Sequence, residues 1–90
     1  ETKKAIPVFE DAARASSDGK VYERLSQLYL DNDEFQKCTE AAQNAIRRGG
    51  LRRVQTTHIV QGMCHYNLDQ LSTARQSFEA CRESSRRDND

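Results

Sequence analysis

A pattern that repeats inside the chain limits its fold more than any other feature. The triplet Ala5, Phe9, Ala12, with steps of four and three, recurs as Cys38, Ala42, Ala45 and again as Ala74, Phe78, Cys81, at offsets of 33 and 36 residues. Upstream of the second and third triplets, Tyr22, Leu25, Ser26 and Tyr29 are answered at the same 36-residue offset by His58, Gln61, Gly62 and His65. Steps of three and four put each set on one face of a helix, and a period of this length marks stacked supersecondary units. Each full unit therefore holds two helices, and the opening half unit supplies only a second helix. Small residues at Ala5, Cys38 and Ala74 let antiparallel backbones approach, while Phe9 and Phe78 fill the space between.

The same spacing predicts helices near 4–16, 20–31, 34–48, 53–67 and 71–84. Pro7 is expected in an opening turn, where its missing N–H costs little. Asp18 and Gly19 break the first helix, Asp31-Asn32-Asp33 makes a tight turn with N-cap candidates, and Gly49-Gly50 ends the middle unit with φ > 0 available. The extra residues of the longer offset fall at 49–53, and 84–90, without an apolar anchor, is expected to fray. The expected core is Phe9, Leu25, Leu28, Tyr29, Phe35, Ala45, Ile46, Ala74 and Phe78.

The 90 residues suit one small domain, and 14 basic against 14 acidic groups leave no global field toward nucleic acid or membrane. No apolar run approaches the roughly 18 residues a transmembrane helix requires. Charge is nonetheless uneven: residues 1–46 carry 6 basic and 9 acidic groups, and residues 47–90 carry 8 and 5. Arg47, Arg48, Arg52 and Arg53 cluster around Gly49-Gly50 at a helix end, where cations complement exposed carbonyls; the competing reading is a patch for an acidic partner. The chain starts at Glu1 without Met and reads as a fragment from which any targeting signal is missing.

Taken together, the aromatic-Leu-small-Tyr set of the first helix and the Ala-x3-aromatic set of the second resemble the tetratricopeptide repeat (TPR) signature over about residues 3–88. The resemblance implies an all-α, right-handed superhelical stack of antiparallel hairpins with about five helices. Its parts are a truncated repeat at 3–18 and full repeats at 19–54 and 55–88. Ala42 departs from the signature in the middle repeat, as do His58, Gln61 and His65 in the last. Within the family, residues 3–30 and 45–75 resemble TPR proteins encoded beside TonB energy-transduction systems of Gram-negative bacteria. That implies a periplasmic or envelope-associated accessory of an uptake system.

In TPR folds the first helices of successive repeats line a concave groove for a peptide or partner helix. The register assigns that groove to Lys20, Glu23, Arg24, Gln27 and Leu30, then to Thr56, Ile59, Val60, Met63, Tyr66 and Asn67. Gln27, Leu30, Ile59, Met63, Tyr66 and Asn67 are the candidate contacts, because Ile59, Met63 and Tyr66 form an apolar i, i+4, i+7 line. The competing reading makes that line core, with the helix rotated so that His58, Gln61 and His65 face outward. Glu23 and Gln27 stand where a carboxylate clamp would need Lys and Asn.

Enzymatic chemistry finds little support. Cys64 and His65 are adjacent, so their side chains diverge by about 100° and make no dyad. Nor do His58, His65 and Cys64 converge as metal ligands, and no cofactor motif is present. A bridge between Cys38 and Cys64, on consecutive helices, stays open for an oxidising compartment. The expectation is a protein-binding scaffold without cofactor, metal or nucleic-acid partner; the alternative is a structural spacer or self-assembly module. Self-association is expected through the uncovered N-terminal face carrying Ala5, Phe9 and Ala12.

Overall fold

The computed structural model describes residues 1–88 as five α-helices and, among these, no strand. They are α1 (Thr2–Ala15), α2 (Gly19–Asp31), α3 (Phe35–Arg48), α4 (Val54–Asn67) and α5 (Leu71–Asp88). Helices α2 and α3 form one hairpin and α4 and α5 a second; α1 packs on α2, and α4 lies across both α2 and α3.

The two hairpins turn in the same way. Asp33 and Asp69, 36 residues apart, both take φ of 60°, in the left-handed region that Asp tolerates better than most residues. Behind them, Glu34 N–H donates to Tyr29 C=O at 2.8 Å, and Gln70 N–H donates to His65 C=O at 2.9 Å. Asp33 and Asp69 donate to Leu30 and Tyr66 in turn, completing a Schellman closure at each helix end. Asp33 is thus a C-terminal residue of its turn, not an N-cap. Glu34 takes the N-cap place of α3 without a side-chain cap, while its carboxylate accepts from Asn32 Nδ2. That bond, aided by Lys37, holds the Glu34 carboxyl below its ordinary range.

The core joins the hairpins. Leu25, Leu28 and Tyr29 of α2, Cys38 and Ala41 of α3, and Val60 and Cys64 of α4 form one buried cluster with Ile6 and Ala13 of α1. Helix α4 is poor in intrinsic helix formers: Val54, Thr56, Thr57, Ile59 and Val60 are β-branched, and Gly62 adds backbone entropy. Its conformation therefore depends on packing, and a disulfide between Cys38 and Cys64, both fully buried, fastens it to α3. Thr57, also fully buried, donates from Oγ1 to Glu23 Oε2 at 2.9 Å, tying α4 to α2. On the other side of α2, the Tyr29 hydroxyl donates to Glu10 of α1, and burial together with that carboxylate keeps the phenol protonated well above its usual range.

Several expectations are corrected. Phe78 packs its ring against Gly62 of α4, between the two helices of the second hairpin, but stays 41% exposed instead of buried. Phe9, Phe35 and Ile46 are only partly buried. In α1 the buried residues are Ile6 and Ala13, one position beyond Ala5 and Ala12 of the triplet, so Ala12 faces solvent. Because α1 begins at Thr2, Pro7 lies inside the helix and leaves one intrahelical bond unmade. Helix α5 continues to Asp88 with Ser84 buried, where fraying was expected; 89–90 lie outside the described residues.

Gly19 permits the closest approach between α2 and the end of α3. A Cβ there would stand 2.5 Å from the carbonyl oxygens of Ala45 and Gly49. Backbone oxygens cannot swing aside, so overpacking outweighs the helix-propensity gain of about 1 kcal/mol. Gly19→Ala is expected to lower stability by about 1–2 kcal/mol in urea melts. Bonding Cys38 to Cys64 across 26 residues removes about 3.5 kcal/mol of loop entropy from the unfolded chain. Reduction is therefore expected to move the urea midpoint down strongly, and Cys38→Ala with Cys64→Ala to reproduce the shift.

Candidate functional site

Helix α4 has two faces. Thr57, Val60 and Cys64 point into the core, and Ile59, about 200° of helical turn past Thr57, points away from it. Ile59, Met63 and Tyr66 are 43%, 42% and 62% exposed. The apolar line is surface, and the helix is not rotated; the reading that made it core is overturned. Val60, assigned to the groove by register, is core instead.

The remaining groove candidates are less free. Asn67 is exposed, but its Nδ2 donates to Met63 C=O at 2.8 Å and so closes the end of its own helix. Gln27 is half-buried and accepts from Arg24 at 3.2 Å; Leu30 is half-buried against the core cluster. Glu23 is held by Thr57. The α4 wall therefore offers open apolar side chains, while the α2 wall offers side chains already in use.

The polar residues of α4 fall at its flanks. Gln61 Oε1 accepts from Ser77 Oγ at 3.3 Å, His65 Nδ1 lies 2.6 Å from Gln70 Oε1, and His58 Nδ1 is buried without a hydrogen-bond partner. Cys64 is committed to its disulfide, and Cys81 is a half-buried free thiol. Among the described residues, no group of three or more His, Cys, Asp and Glu is placed to hold a metal, and no helix is long and apolar enough to cross a membrane.

The basic cluster divides into two parts. Arg47 and Arg48 occupy the last turn of α3, where their charge complements the carbonyl end. Arg47 bonds to Asn44, and Arg48 stacks its guanidinium 4.8 Å from the Tyr22 ring centre and donates to Ser16 C=O at 3.3 Å. Arg52 and Arg53, in contrast, precede α4, and Arg53 is its N-cap without a capping side-chain bond. The dipole argument reverses sign there, so these two cations oppose the helix end they flank.

The sequence reading missed a groove at the outer edge of the second hairpin. It has a volume of about 740 Å3 and is lined by Tyr66, Leu71, Ala74 and Phe78, with Arg75, Glu79 and Arg82 at the polar positions. The signal for it was available in Leu71, which the repeat logic left unassigned, and in Phe78, which it read as ordinary hairpin packing. Of the expected groove residues only Tyr66 lines it.

Arg48→Ala is expected to cost about 1 kcal/mol in thermal melts, since it removes a cation–π contact and a bond across 32 residues of chain. Arg53→Ala should leave stability unchanged or raise it by a few tenths of a kcal/mol, about the scale of one dipole contact. No protein family's sequence model matches this chain, and no curated protein or solved structure matches it.

Proposed function

We propose that the chain is a TPR-type protein-interaction scaffold that receives a partner helix or an extended apolar peptide along Ile59, Met63 and Tyr66. The exposed apolar line on an otherwise well-packed helix carries this reading, because three large side chains at i, i+4 and i+7 match the spacing with which helices dock. The reading keeps half-buried Gln27 and Leu30 of α2 as the facing wall, and Asn67 caps the end of α4. The family assignment rests on the repeated residues and is supported by the two hairpins, whose turns share backbone conformation and bonding.

The reading gives the chain no catalytic role. Cys64, the best-placed nucleophile in the sequence, is oxidised to Cys38, and His65 is tied to Gln70. Location in an oxidising compartment such as the periplasm is part of the proposal, supported by the buried disulfide. Service as an accessory of an envelope energy-transduction or transport system rests on the resemblance of residues 3–30 and 45–75 alone.

A charge placed on the line separates docking from stability. Met63→Glu is expected to melt like the parent protein, because the side chain is already open to water, and to weaken capture of a partner isolated from envelope extract by about 2 kcal/mol or more. Arg52→Glu with Arg53→Glu should capture it normally. Lost capture in that double variant, with Met63→Glu binding as the parent does, would move the site to the basic loop.

A further inference from the structure

Three cysteines and one methionine supply the sulfur of this chain, and the fold treats them differently. Cys38 and Cys64 are fully buried and already bonded to each other, and Cys81 is a half-buried thiol. Met63 is exposed, and it stands in the middle of the apolar line, four residues after Ile59 and three before Tyr66. Methionine is well suited to filling irregular gaps in a core, yet the one methionine here lies outside the core cluster. Its thioether is therefore the sulfur most open to an oxidant dissolved in water.

We propose that Met63 is a modification site, at which a peroxide-class oxidant turns the apolar line polar and switches docking off. The switch rests on the docking reading of Ile59, Met63 and Tyr66. The thioether sulfur gives an electron pair to one oxygen of hydrogen peroxide, the O–O bond breaks, and an S=O bond forms. The second oxygen leaves as water, and the methionine has lost two electrons. Reversal consumes two electrons from a dithiol-class reductant, with the sulfoxide oxygen leaving as water. The sulfoxide oxygen needs water or a donor, and an apolar partner surface offers neither. The change acts on the surface and spares the fold. Helix α4 is held through its other face, by Thr57, Val60 and the Cys38–Cys64 bridge. Asn67 bonds the backbone C=O of Met63, which oxidation of the side chain leaves in place. An oxidising compartment thus preserves the disulfide that positions α4 while exposing Met63 to oxidation.

Hydrogen peroxide applied to the disulfide-bonded Cys81→Ser protein tests the site and the switch separately. Peptide mapping should find one added oxygen, on Met63, gained at a rate within about tenfold of that of a free methionine derivative. The product should melt as the untreated protein does and leave a phenyl column earlier, as Met63→Gln should without peroxide. Met63→Leu should be retained alike before and after treatment. Capture of the partner isolated from envelope extract should weaken about tenfold on oxidation and stay constant in peroxide-treated Met63→Leu. Oxidation of Met63 only after unfolding, or unchanged retention of the fully converted protein, would overturn the modification site. Full conversion with normal capture would overturn the switch when Met63→Glu fails to capture. Normal capture by Met63→Glu as well would overturn the docking reading itself.

Discussion

The seating of α4 on the first hairpin is the contact on which the rest of the molecule depends. Without it the chain is two hairpins, each with one apolar face in water, and neither small enough in exposed area nor rich enough in helix formers to stand alone. Helix α4 has the least local reason to be helical, with five β-branched residues in its first half and Gly62 just past its middle. Burial of Thr57, Val60 and Cys64, the Thr57–Glu23 bond and the Cys38–Cys64 bridge together hold it in place. The disulfide and the hydrogen bond sit at opposite ends of the buried stripe, so they fix the rotation of α4 about its axis as well as its position.

That rotation creates the exposed apolar line. A helix with one face fully committed must turn the opposite face outward, and on α4 the outward residues are Ile59, Met63 and Tyr66. Solvent exposure of such side chains is unfavourable by the same hydrophobic term that builds the core. Tyr66 sits where this line meets the groove of the second hairpin. The exposed large apolar side chains are therefore concentrated on α4 and α5, while Val8 is the large apolar residue open to water on α1.

The helix boundaries were legible to within two residues except at the C-terminal end of α5, because capping and breaking residues act locally. The 36-residue period was equally legible, and it reappears in the φ of Asp33 and Asp69. Side-chain burial was less so. Phe78 reads as core by spacing, yet it stays 41% exposed while its ring packs on Gly62, because spacing picks the helix face and not how deep that face lies. The 33-residue match of α1 holds in part: Ala5 and Phe9 pack against the core, but contact with α2 buries Ile6 and Ala13 most deeply and leaves Ala12 exposed. Whether Ile59, Met63 and Tyr66 were core or surface turned on the rotation of α4, which tertiary contacts to Glu23 and Cys38 decide. The opposed roles of Arg48 and Arg53 likewise needed the position of the helix ends.

Peptide mapping of the oxidised protein without reduction tests the placement of α4 most directly. Digestion should release one disulfide-linked pair joining the peptides that contain Cys38 and Cys64, with Cys81 recovered as a free, alkylatable thiol. A bridge involving Cys81, or alkylation of Cys38 and Cys64 in the folded protein as readily as Cys81, would place α4 differently on the first hairpin. The outward position of Ile59, Met63 and Tyr66 would then lose its basis.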